Sequence, residues 1–152
     1  MKRGISFLLV LVLMLGMTAC GGSAKEVNME ELYQQLLDTM PEMILIEDAD
    51  MRLNLMGIQE GDCVQVVTAV CADGLRTDEV WLIEAKDAAA LERIAALAEN
   101  RLFAKGEESI TYSPEQYAIV QKAVTVTEGL YFALVVSPDV DALKASVEAY
   151  VK

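Results

Sequence analysis

Two apolar runs joined through Asp73-Gly74 constrain this chain more than any other stretch. Cys63 to Ala72 reads Cys-Val-Gln-Val-Val-Thr-Ala-Val-Cys-Ala, and Asp78 to Ala85 reads Asp-Glu-Val-Trp-Leu-Ile-Glu-Ala. Both favour strand, and the Asp-Gly between them signals a turn. Val80, Trp81, Leu82 and Ile83 are consecutive and apolar, which makes their strand central. A second pair follows: Val124 to Thr127, a tight turn at Glu128-Gly129, then Leu130 to Val136. Each pair feeds a helix. Trp81-Leu82-Ile83-Glu84-Ala85-Lys86-Asp87 leads into Ala90-Leu91, and Ala133-Leu134-Val135-Val136-Ser137-Pro138-Asp139 leads into Ala142-Leu143. A hairpin feeding a helix cannot bury its apolar face alone, so two such units should pair. The expected fold is α+β, a mainly antiparallel sheet of about four strands with helices packed on one face. The order is β-β-α-(α)-β-β-α, preceded by an N-terminal helix.

Local signals fill in the rest. Asn28 reads as an N-cap, with Glu31 closing a capping box and Val27 stapling onto Leu32. Helical spacing runs from Met29 to Met40, and Pro41 ends it. Met43 to Ile46 reads as extended, Asp50 to Met56 as a short helical turn ended by Gly57, and Gln59 to Asp62 as a turn. Asp87 caps a helix whose buried stripe is Leu91, Ile94, Leu97, Ala98 and Leu102, with Glu92, Arg93, Glu99 and Arg101 on its wet side. Lys105 to Ser109 reads as a polar loop. Ser113 caps a short helix with Pro114 at its first position, Gln116 closing the box and Tyr112 stapling to Tyr117. Ser137-Pro138 opens a last helix with Val140, Leu143, Val147 and Tyr150 or Val151 turned inward.

The start of the chain has a different character. Lys2 and Arg3 precede an apolar run from Ile5 to Met17, followed by Thr18, Ala19 and Cys20, then Gly21-Gly22-Ser23. A positive start, a short apolar run and small residues before a cut make a secretory signal. The run falls short of the ~20 residues that span a bilayer. An ordinary secretory cut wants a small residue where Met17 stands, whereas Ala19-Cys20 resembles the lipobox of bacterial lipoproteins. That resemblance implies that residues 1–19 are a signal peptide and that Cys20 is acylated and becomes the mature N-terminus. A diacylglyceryl group carries two chains, enough for stable anchoring, and only a thiol forms the thioether. Residues 20–27 are then the lipidated cysteine and a flexible leash, and residues 28–152 one domain. Plain secretion and an uncleaved anchor are the rival readings.

Charge and residue absences exclude several function classes. The formal net charge is −12, and Lys2 and Arg3 are the only charges in residues 1–19, so the remainder is more acidic still. An acidic chain lacks the basic patch that nucleic acid requires, and the lipid rather than the surface should hold it to the membrane. The chain has no histidine, which removes Ser-His-Asp and Cys-His catalysis and the usual zinc sites. Cys63 and Cys71 lie in one predicted strand, about 26 Å apart at ~3.3 Å per residue. They read as buried thiols rather than a disulfide, unless the strand folds back.

The remaining polar clusters read as structural. Glu47, Asp48 and Asp50 lack the calcium-loop pattern and read as a solvated turn. Asp139 and Asp141 suit the first turn of a helix. Glu79 and Glu84 fall on opposite faces of one strand and cannot act as paired acids. Trp81, Tyr112, Tyr117 and Tyr131 read as core or staple residues rather than as a groove. Lys86 and Lys122 have no flanking sequence signal of an activated amine.

Gly57-Ile58, Asp78-Glu79, Lys86-Asp87, Pro114-Glu115-Gln116-Tyr117 with Val120, and Gly129 with Tyr131 carry a wider likeness. From about Asn28 onward the chain resembles an uncharacterised family of small Gram-positive bacterial lipoproteins and exported proteins known as a domain of unknown function. Cys63 and Cys71 stand where that pattern has ordinary apolar or small residues. The resemblance implies an exported α+β domain and supplies no activity. The expectation is a lipoprotein on the outer face of the cytoplasmic membrane, not an enzyme, with no catalytic residue, metal or cofactor and with Cys20 as its lipidation site. Its domain would bind an envelope protein or a small ligand. An accessory or structural subunit of an envelope complex, or a histidine-free enzyme, are the alternatives.

Overall fold

The computed structural model describes residues 27–152. Helix α1 spans Met29–Leu36, and Asn28 Oδ1 accepts from the N–H groups of Glu30 and Glu31. Strand β1 is Met43–Leu45. Helix α2, Ala49–Met56, begins where Asp48 accepts from Met51 N–H and ends at Gly57, whose φ of 77° needs no Cβ. A 3-10 turn at Glu60–Asp62 leads into β2, Cys63–Cys71, and then β3, Glu79–Ala85. Helix α3, Ala88–Tyr112, is capped by Asp87, and Ser113 both ends it and caps α4, Pro114–Val120. Strands β4, Val124–Glu128, and β5, Tyr131–Val136, precede α5, Val140–Val151.

The fold is α+β, with one antiparallel sheet in the order β1-β2-β3-β5-β4. The two hairpin-helix halves meet through β3 and β5, from Glu79 opposite Val136 to Glu84 opposite Tyr131. The sheet has five strands rather than four, because Met43–Leu45 joins β2 opposite Ala69 to Cys71. Helices cover both faces, not one. Val80, Leu82, Ala133 and Val135 pack with Leu32 and Leu36 of α1 and Leu143 and Val147 of α5. Trp81, Ile83, Phe132, Leu134 and Val136 pack with Ile94 and Ala98 of α3 and with Met56 and Ile58. The reason lies in the strands themselves. Both β3 and β5 are apolar on both faces, and each fully buried side chain of that kind contributes about 1.5–3 kcal/mol. One layer of helices would leave half of that on the table.

Three local expectations need correction. Lys105 to Ser109 is helical, part of α3. Lys-Gly-Glu-Glu-Ser looks like a loop, yet Lys105 Nζ reaches Glu79 and the Thr77 carbonyl, and Ser109 Oγ donates back to the Lys105 carbonyl at 2.7 Å. Neither capping box closes reciprocally: Glu31 Oε2 accepts from Tyr150 Oη, and Gln116 Oε1 accepts from Thr77 N–H and Oγ1. The Asn28 and Ser113 caps themselves hold. Tyr112 is exposed rather than stapled. Cys63 and Cys71 are free thiols at opposite ends of β2.

A concavity beside an incomplete sheet edge

The site begins with a mismatch of lengths. Strand β1 has three residues and β2 has nine, so β1 covers only the Ala69–Cys71 end of its neighbour. One further bond, Ile46 N–H to the Thr68 carbonyl at 2.8 Å, extends the pairing. Beyond it the chain leaves the sheet, and Arg52 is the cause. Arg52 Nη1 donates to the carbonyls of Ile46 at 2.7 Å and Glu47 at 2.9 Å, and Nη2 donates to Glu60 Oε2 at 2.6 Å. The Ile46 and Glu47 carbonyls are thereby turned toward α2, where Asp48 starts the helix. Arg52 is buried, and its Nε has no acceptor. An unmet buried donor costs about 1–3 kcal/mol, which the charge-assisted bonds at the other end of the guanidinium offset.

Among the described residues, no strand lies beside the outer edge of Cys63 to Val67 after this departure. In its place is a concavity of about 320 Å³ floored by Val64, Val66 and Val67. Arg52 and Cys63 stand at one side, and Glu30, Glu47 and Glu60 bring carboxylates to it. Val64 is 62% exposed. The Cys63 thiol is pushed up to about 11 by burial first and then by the charges of Glu60 and Asp62, so it is a poor nucleophile at neutral pH. The arrangement offers backbone groups, apolar surface and negative charge, and no activated nucleophile.

A second concavity, about 220 Å³, is lined by Arg76, Asp78, Arg101, Lys105 and Tyr112. Its charges satisfy one another. Arg76 binds Asp78 through two nitrogens. Glu79, fully buried, accepts from Trp81 Nε1 at 2.7 Å, from Arg101 at 2.8–3.2 Å and from Lys105 at 2.9 Å. Burial pushes the Glu79 carboxyl up, but Arg101 and Lys105 outweigh it and hold the group below the ordinary carboxylate range. This cluster joins α3 to β3 and reads as architecture. Asp62 is similarly held low by Arg93 and Lys86.

The residues singled out from sequence fall as follows. Cys20 lies outside the described residues. Glu47, Asp48 and Asp50 are exposed at the start of α2, where Asp48 is the cap, Asp50 lies in the first helical turn and Glu47 reaches the concavity beside β2. No group of three or more metal-ligating side chains occurs among the described residues. Glu79 and Glu84 lie on opposite faces, and Glu84 accepts from Gln65. Trp81 is core, while Tyr112 lines the second concavity, so the aromatics share no groove. Sequence reasoning missed Arg52, and it placed Arg101 on the wet side of its helix, whereas Arg101 turns inward to Glu79. The signal for Arg101 was present: a carboxylate heading a strand that is apolar on both faces requires a cation.

Among the described residues no helix is long and apolar enough to cross a membrane. No curated protein and no solved structure matches the chain. A domain of unknown function, DUF4358, matches residues 37–137, from the end of the first helical segment to the residue after β5, and the chain belongs to that family.

Proposed function

We propose that the protein is a lipid-anchored, extracytoplasmic binding module, held to the outer face of the cytoplasmic membrane through Cys20. The observation that carries this reading is the leader: Lys2-Arg3, the apolar run to Met17, then Ala19-Cys20 and Gly21-Gly22-Ser23. The domain adds support for binding over catalysis. Its open concavity beside β2 presents carboxylates and valines rather than a poised acid, base or nucleophile. Incorporation of radiolabelled palmitate, with fractionation of the producing cells, tests the anchor. The wild type should take label and sediment with membranes, and globomycin, which blocks the lipoprotein signal peptidase, should make precursor accumulate. Cys20→Ser should take no label. Normal processing and membrane retention of Cys20→Ser overturns the proposal.

A further inference from the structure

The gap in the sheet beside β2 has the properties of a strand-addition site. The Thr68 carbonyl bonds outward to Ile46, whereas Cys71 N–H bonds inward to the carbonyl of Asp78, the residue before β3. Backbone direction alternates along a strand, so Val66 shares the outward direction of Thr68. The N–H and C=O of Val66 therefore face the concavity. The opposite edge of the sheet, β4, contrasts with it. Its exposed residues are Thr125, Thr127 and Glu128, two hydroxyls and a charge. Exposed sheet edges are ordinarily blunted by charge, bulges or cover. At β2 the exposed residue is the apolar Val64, and the register irregularity between Cys63 and Gln65 blunts only that end, leaving Val66 and Val67 as the regular part of the edge.

We propose that the Cys63–Val67 edge docks an extended segment of a partner protein in which apolar residues alternate with lysine or arginine. The segment adds a strand in line with β1. Its backbone pairs with Val66, its apolar residues meet Val64 and Val66, and its cations meet Glu30 and Glu47. Charge complementarity chooses this occupant over an acidic or neutral strand. Three carboxylates reach the concavity, and only Glu60 is engaged by Arg52. This deepens the binding-module reading and rests on it. It is independent of the anchor, because the edge is the same whether or not Cys20 carries lipid.

The test is fluorescence anisotropy with the full chain in dodecylmaltoside micelles. The probes are two labelled eight-residue peptides, one alternating valine with lysine and one alternating valine with glutamate. The lysine peptide should bind saturably and the glutamate peptide at least tenfold more weakly. Val66→Pro removes the outward N–H without touching the β3 ladder and should weaken the lysine peptide about tenfold, about 1.4 kcal/mol. Glu30→Lys/Glu47→Lys, at two exposed positions, should reverse the preference, which keeps the test decisive if the proline variant fails to fold. Equal binding of both peptides overturns the proposal, as does no binding at 1 mM. Lysine-peptide binding unchanged in a folded Val66→Pro shows surface ion pairing without strand addition and also overturns it. So does self-association of the chain that excludes the peptide. Loss of membrane retention in Cys20→Ser alongside normal peptide binding would separate the two proposals.

Discussion

Replacing both cations around Glu79 tests whether that carboxylate is held as a buried ion. Glu79 has no solvent-accessible surface, and every donor it meets other than Trp81 Nε1 comes from Arg101 or Lys105. Arg101→Met/Lys105→Met keeps length and apolar stem while leaving the carboxylate unpaired. Breaking a buried pair in this way costs about 3–5 kcal/mol, a third or more of the stability of an ordinary domain of about 5–15 kcal/mol. Adding Glu79→Met should return most of that loss, since apolar replacement of a whole buried ion cluster is near neutral. The pH dependence should change sign. In the wild type the Glu79 carboxyl lies below its ordinary value of 4.5, so its contribution is present above that value and falls away as the pH drops through the lowered one. In the double variant only burial and the Trp81 bond remain, burial raises the carboxyl, and stability should increase on acidification toward pH 4. Urea unfolding followed by the emission of Trp81, the single tryptophan, reads all three proteins. A triple variant no more stable than the double refutes the reasoning, as does a double variant with the acid sensitivity of the wild type.

Gly57→Ala should destabilise by about 1–2 kcal/mol from backbone handedness alone, and its new Cβ would sit 2.7 Å from Leu97 Cδ2; Leu97→Ala should recover only the steric part in urea melts. Asp62→Asn should flatten the acid limb of the stability profile below about pH 4, because the folded Asp62 carboxyl is held low by Arg93 and Lys86 and its contribution disappears as pH falls. Cys63 should alkylate with iodoacetamide about a hundredfold more slowly than a free cysteine at pH 8, given a thiol near 11 against 9.0; a rate equal to free cysteine refutes the burial argument.

Much of the fold was legible because its signals are short-range. Four adjacent apolar residues, Val80 to Ile83, placed β3 in the middle of the sheet, and Asn28, Asp87 and Ser113 marked their helix starts by the chemistry of their side chains. Errors arose where a distant partner decides. Lys105, Gly106 and Ser109 favour a loop locally, but Glu79 and Thr77 hold Lys105 in a helix. Arg101 reads as solvent-facing on a helical wheel, and only the buried Glu79 across the fold turns it inward. The same strand that was recognised as apolar on both faces argued against helices on a single side, a consequence that follows from Trp81 and Leu82 alone. The gap beside β2 was not legible, because it depends on where Arg52 captures the Ile46 and Glu47 carbonyls.

Helices α1 and α5 close the same face of the sheet, and Glu31 Oε2 meets Tyr150 Oη at 3.0 Å across 119 positions of sequence. A ribosome delivers α5 after all the strands it must cover. Until then the Leu82 and Val135 side of the nascent polypeptide has half its lid missing, while the Trp81 side can already knit from earlier segments. The growing molecule therefore cannot close this face before Val140–Val151 has been made. A product stalled ahead of Val140 would expose a greasy half-core to quality-control proteases.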